Sequence, residues 1–287
     1  MPRYKLTLEY DGTHYAGWQK QTDAPSVQEA IINAVFMFCG QKMDVVGAGR
    51  TDARVHATAQ VAHVDIPMEL PDFKVMQGIN YYLFNPPKRP IILSNGDCHT
   101  EPSEVSLQIQ SQNSSQNTRN DRVIYPENRI AILDAKLVPD DFHARFSAKR
   151  RHYLYRIINR RARLGVEAGR AWHVIEPLDE KLMHEAAQVL VGHHDFTTFR
   201  DTQCQAKSAE KTLELFSVSR RGNELHIAAS ARSFLHHQVR NMVGTLSLVG
   251  KGKWSVSDVQ KALDARDRRA GGPTCPSEGL YLTGVDY

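Results

Sequence analysis

The sequence predicts an α+β protein of two similar halves, each an antiparallel or mixed sheet with helices on one face. Three observations predict this. Runs with a two-residue apolar period alternate along the chain with runs at helical spacing. The order strand, helix, strands occurs before residue 95 and again after residue 128. The composition, 41% hydrophobic and 24% charged over 287 residues, is that of a globular chain able to bury roughly three-quarters of its unfolded surface.

The elements follow in order. Tyr4, Leu6, Leu8 and Tyr10 alternate with polar residues and end at Asp11-Gly12, which reads as a half-buried strand. Ser26-Val27-Gln28-Glu29 is a capping box, followed by Val27, Ala30, Ile31, Ala34, Val35 and Phe38 at helical spacing and by Gly40 as the stop. Residues 44–46 and 58–66 read as strands, the second with Ala62, Val64 and Ile66 on one face. Residues 72–83 read as a helix, and 130–138 and 151–159 as strands. In the second half, 179–191 is helical with Leu182, Met183, Ala186 and Leu190 inward. Strands at 212–219 and 224–231 turn at Arg221-Gly222-Asn223. Residues 235–249 form an amphipathic helix and 257–265 a short one.

The domain reading is a first α+β half at 1–94, an insertion at 95–128 and a second half at 129–287, with 129–142 able to complete the first. Fourteen of the 23 residues from His99 to Asp121 are Ser, Thr, Asn or Gln. Such a stretch buries too little apolar area to offset its ordering entropy, so a long mobile loop is expected.

Several classes are excluded. The longest apolar run, Ala34 to Cys39, is far short of the ~20 residues a membrane span needs. The N-terminus lacks an apolar core of signal length. Cys39, Cys98, Cys204 and Cys275 form no CxxC pair, which predicts reduced thiols in a cytoplasmic protein. His193-His194 and His236-His237 lack the spacing of zinc ligands, and adjacent histidines on one element are expected to point apart. No metal and no cofactor are expected.

The net charge is only +4, but His143 to Arg170 carries nine Lys+Arg against one acid, Glu167. Tyr153, Tyr155, Phe142, Phe146 and Trp172 lie in or beside it. Cations for phosphates and rings for bases suit a nucleic-acid groove. The same pattern also fits a solvated basic face with tyrosines buried at alternate positions.

The densest polar segment is Gly47-Ala48-Gly49-Arg50-Thr51-Asp52-Ala53-Arg54-Val55-His56-Ala57, between two strands. Asp52 between Arg50 and Arg54 would be held ionised. A lone aspartate there can equally cap a turn. Neither GxxxxGK[ST] nor GxGxxG is present.

This segment resembles the active-site signature of the tRNA pseudouridine synthase A family, GRTD followed by A-G-V-H-A. Tyr10-Asp11-Gly12-Thr13 with Gly17-Trp18-Gln19 resembles that family's first block. Phe142 to Ala148 followed by Tyr153-Leu154-Tyr155 resembles its second motif. Gly192 to Arg200 with Cys204-Gln205-Ala206 resembles its third, and Phe234 to Gly244 its fourth. Arg54 stands where the family has Gly. A left-handed backbone there would strain it; tolerated, it adds a cation beside the anticodon arm.

The resemblance implies ferredoxin-like or RNA-recognition-like halves with a catalytic cleft between them. It implies isomerisation of uridine to pseudouridine in the anticodon stem-loop of tRNA, at nucleotides 38, 39 and 40, by a homodimeric intramolecular transferase without cofactor. Asp52 matches the essential aspartate, Arg240 its arginine partner and Tyr153 the active-site tyrosine, which stacks on the extruded uracil. Arg50, Arg54, His56, Lys149, Arg150 and Arg151 are candidate RNA contacts, and His237 a supporting or phosphate contact. Arg160, Arg161 and Arg163 are further phosphate candidates. The competing reading is a non-catalytic tRNA-binding protein on the same scaffold. A methyltransferase would need a cofactor-binding glycine loop after a strand.

Overall fold

The computed structural model describes residues 1–86 and 129–287. The insertion read at 95–128 lies outside the described residues, as does Cys98.

In the first half, β1 (Arg3–Tyr10) buries Tyr4, Leu6, Leu8 and Tyr10, as its period of two requires. Ser26 accepts a hydrogen bond from the Glu29 amide at the start of α1 (Val27–Cys39), and Gly40 closes it at φ 72°. The Glu29 carboxylate lies 3.2 Å from Lys20. Then come β2 (Val45–Gly47), β3 (His56–Asp65), α2 (Asp72–Phe84) and β4 (Ile130–Val138). The second half holds β5 (Arg150–Asn159), β6 (Trp172–Val174), α3 (Glu180–Gln188), β7 (Gly192–Asp195), β8 (Glu210–Arg221), β9 (Glu224–Ala231), α4 (Gln238–Gly250), α5 (Val256–Ala265) and β10 (Leu280–Asp286).

The strands form one continuous mixed sheet in the order β4-β1-β3-β10-β5-β9-β8-β7, with β2 on β3 and β6 on β5. Sequence periodicity does not flag β6, β7 or β10. The first two are only three and four residues long. β10 matters most, because the last strand of the chain joins the halves. It runs parallel to β3, with Leu282 opposite Ala57, and antiparallel to β5, with Leu282 opposite Tyr153.

Each half has its own apolar core. Tyr4, Leu6, Ile31, Val64 and Ile79 centre the first; Tyr155, Met183, Phe199, Phe216 and Met242 centre the second. Leu282 belongs to the first core and Leu280 to the second. Residues two apart on a strand point the same way. Both helix layers therefore cover the same sheet face, and their junction lies over β10 and β5. Tyr153 touches both cores there.

Two details differ from the sequence pattern. Leu182, expected inward, is exposed, whereas Met183, Ala186 and Leu190 are fully buried. The apolar stripe is one residue narrower than the periodicity suggested. The helix expected from residue 235 begins at Gln238, because His237 takes a left-handed conformation (φ 59°). The Gln238 side chain accepts from the Leu235 amide, which closes that turn.

Candidate active site

The segment from Gly47 to Val55 is tied down along its length. The Ala48 amide donates to Val61 O, and the Gln60 side-chain amide to Gly49 O (3.1 Å). Thr51 O accepts from the Trp18 amide, and its hydroxyl shares a 2.8 Å hydrogen bond with Tyr10. Gly17 makes this approach workable. At φ 108°, an added Cβ would lie 2.6 Å from Thr51 O. Val55 is buried in the core of the other half, so the loop crosses the junction.

Arg54 sits at φ 66°. The position takes a left-handed backbone, the conformation in which a side chain is strained. Here an arginine adopts it, held by its amide donating to Tyr15 O (3.1 Å). Its side chain and that of Arg50 are exposed.

Asp52, half-buried at the junction, meets three groups from the start of α4. Arg240 Nη1 lies 3.3 Å from Oδ2, His237 Nε2 3.3 Å from Oδ2, and His236 Nε2 3.4 Å from Oδ1. Asp201 stands behind the histidines, with Oδ2 2.7 Å from His237 Nδ1 and Oδ1 3.8 Å from His236 Nδ1. Burial pushes the Asp52 carboxyl up. The His236 hydrogen bond and the charges of His237, His236 and Arg240 more than offset this and hold it below the ordinary carboxylate range. The hydrogen bond to Asp52 in turn raises His236 above an ordinary histidine, against its own partial desolvation.

Arg240 is aimed from a second side. Its Nε donates to Cys275 O at 2.9 Å, and the Cys275 amide returns a bond to Arg240 O. The crossing needs Gly244 on α4, where an added Cβ would lie 1.8 Å from Pro273 O. Tyr153, on β5, packs edge-on against Phe234 at 5.1 Å. Burial, with the Asp52 charge beside it, pushes its phenol up to about 12, so it is a neutral hydroxyl.

The structure thus brings Asp52, Arg240 and Tyr153 together from β2–β3, α4 and β5. It divides the other candidates. Lys149 is exposed, while Arg150 is paired with Glu214 and lies 3.5 Å from Asp286. Arg151 is a correction: it turns inward, and its guanidinium donates to the carbonyls of Ala48, Arg232 and Arg145, leaving it buried. His56 is another. It is buried, stacks on Tyr281 at 4.7 Å, accepts from the Gly12 amide at Nδ1 and meets Gly169 O at Nε2. Both hold the scaffold instead of facing solvent. Alternation along β5 signals an inward Arg151, since it shares the parity of Tyr153 and Tyr155.

Sequence reasoning missed Asp201 and the joint role of the two histidines. The expectation that adjacent histidines point apart assumes ordinary backbone. The left-handed turn at His237 stacks the rings instead, 3.9 Å between centroids. Their nitrogens and an Asp52 oxygen lie within 4.8 Å of one another, a spacing able to hold a metal ion.

The model of a family described as tRNA pseudouridine synthase matches residues 7–89 and 186–287. The chain belongs to this family. Its members are isomerases, and the chain is an enzyme of that kind. It is 50% identical over 287 residues to a tRNA pseudouridine synthase A of Rhodopseudomonas palustris (strain BisA53), covering 100% of both chains. It is 49% identical to one of Maricaulis maris (strain MCS10), covering 100% of this chain and 98% of the relative. It is 50% identical to one of Nitrobacter winogradskyi, covering 96% of the relative. The family match omits residues 90–185 and so omits Tyr153; the full-length relatives span that stretch. Among the described residues no helix is long and apolar enough to cross a membrane.

Proposed function

We propose that this family member isomerises uridine to pseudouridine at nucleotides 38, 39 and 40 in the anticodon stem-loop of tRNA, with Asp52 as the catalytic carboxylate. The observation that carries this reading is the ionised Asp52 held 3.3 Å from Arg240 at the junction of the two helix layers, with the Tyr153 phenol beside it. The reaction breaks N1–C1′, turns the uracil, joins C5 to C1′, and moves the C5 proton so that N1 ends protonated. No atom enters or leaves, so neither oxidant nor nucleotide is required.

A carboxylate serves such a reaction as nucleophile or as a base toward a ribose proton, and both roles need its charge. The His236 hydrogen bond and the charges of His237, His236 and Arg240 keep that charge in a partly desolvated place. The Tyr153 ring offers a stacking face for the flipped base, and its hydroxyl a proton relay near C5. Base flipping costs a few kcal/mol, which stacking and phosphate contacts offset. Exposed Arg50, Arg54, Lys149, Arg160, Arg161 and Arg163 are the cations we assign to the phosphates; Arg150 must first leave its acidic partners. We assign the working unit as a cytoplasmic homodimer, by likeness to the family.

The test is pseudouridine mapping on an unmodified transcript with uridine at 38–40, using the wild type and Asp52→Asn without cofactor. Conversion by the wild type alone is expected. Binding without conversion by either protein would favour a non-catalytic tRNA-binding role.

A further inference from the structure

We propose that Asp52, His236 and His237 form a tetrahedral site for zinc, and that zinc held there shuts the enzyme off. Binding rests only on the geometry; the inhibition rests also on the reading of Asp52 as the catalytic carboxylate. Zinc sits about 2.0–2.2 Å from imidazole nitrogen and carboxylate oxygen, so ligand atoms on a tetrahedron lie about 3.3–3.5 Å apart. His237 Nε2, 3.3 Å from Asp52 Oδ2, matches that edge, and His236 Nε2 lies 3.4 Å from the other oxygen of the same carboxylate, Oδ1. One nitrogen from each histidine and one Asp52 oxygen lie within 4.8 Å of one another, so closing the widest pair by up to about 1.5 Å completes the face. Three protein ligands leave the fourth position for water.

The surroundings argue for a metal as well. Histidine ligands are held by a carboxylate on their other nitrogen. Asp201 holds His237 in this way, with Oδ2 2.7 Å from Nδ1, and its other oxygen lies 3.8 Å from His236 Nδ1, too far for a hydrogen bond. This directs His237 Nε2 toward Asp52, and His236 Nε2 faces the same carboxylate. The site is accessible, since the His236 side chain is 42% exposed. One group opposes the metal: Arg240, 3.3 Å from Asp52 Oδ2. Its Nε is anchored on Cys275 O, so Nη1 alone must give way. The ion is therefore an inhibitor that displaces the working arginine, and not a resident cofactor. It takes up the carboxylate charge the reaction uses.

The experiment is a titration of chelator-treated full-length protein with cobalt(II), which reports tetrahedral coordination in its visible spectrum, followed by zinc displacement. One tetrahedral site per chain is expected, absent in His236→Ala and in Asp52→Asn. Asp201→Asn should weaken it about 10–100-fold. Circular dichroism confirms that each variant is folded. Zinc should block pseudouridine formation over the range in which it displaces cobalt, with full recovery on adding EDTA. Purely six-coordinate cobalt, or a tetrahedral spectrum persisting in both ligand variants, overturns the site. Occupancy without loss of activity overturns the inhibitory role. A metal-free wild type that binds cobalt as expected but forms no pseudouridine refutes the catalytic reading and leaves the site standing.

Discussion

The His236 and His237 rings stack at 3.9 Å between centroids and 31° between planes, so two consecutive residues present nitrogens to one carboxylate. The cause is the left-handed backbone of His237, which turns its side chain back over its neighbour. Asparagine tolerates that conformation but does not reproduce the Nε2 contact with Asp52. His237→Asn is expected to melt close to wild type while kcat falls about 10–100-fold, the scale on which misplaced groups lose rate. Single-turnover kinetics beside a melting curve measures both; an unchanged kcat would remove His237 from the site's support.

Arg54 occupies a left-handed position suited to glycine. A side chain there costs ~1 kcal/mol, and glycine returns part of that through its freer unfolded chain. Arg54→Gly should raise stability by up to ~1 kcal/mol, whereas branched Arg54→Val should lower it by ~1–2 kcal/mol. Urea unfolding distinguishes them, and equal midpoints would show that the loop carries no strain.

Gly244 lets the Pro273–Cys275 segment cross α4. Gly244→Ala sets a Cβ against backbone and must push that segment away, at a cost of ~1–3 kcal/mol. Arg240 then loses its support on Cys275 O. A lower Tm is expected, with pseudouridine formation falling more than the unfolded fraction explains.

His63 is buried and accepts from the Ala144 amide at Nδ1 (3.1 Å). Burial, aided by Arg3 and His143, lowers its pKa to about 4. The unfolded chain takes up this proton near pH 6.5, the folded chain only near 4. The stability His63 contributes is thus complete above pH 6.5 and is lost as pH falls from 6.5 to 4. The loss is up to about 2–3 kcal/mol. His63→Asn keeps an acceptor without the titration. The difference between wild-type and variant unfolding free energies should fall across that window; parallel curves would show that His63 does not titrate there.

If the exposed arginines and Lys149 grip tRNA phosphates, affinity should fall steeply with salt. The logarithmic slope should be about −0.7 to −0.9 per phosphate neutralised. Arg160→Ala should flatten it by about one contact. A flat slope in the wild type would remove the basic face from the interface.

Much of the fold was legible because it is local. The alternation of Tyr4 to Tyr10, the Ser26 cap and the Gly40 stop depend on neighbours a few residues away. Asp52, Arg240 and Tyr153 were nameable from their motifs. Arg151 and His56 were misread, because a cation beside a motif looks the same whether it faces solvent or the scaffold's carbonyls. What the sequence by itself determined, then, was the class of fold, the helices and most strands, and it named three residues of the candidate site. Tertiary structure alone decided that β10 closes two sheets into one, that Asp201 stands behind the histidines, and that His236 and His237 converge. Each depends on groups from distant parts of the chain, or on a backbone conformation that packing imposes and periodicity does not encode.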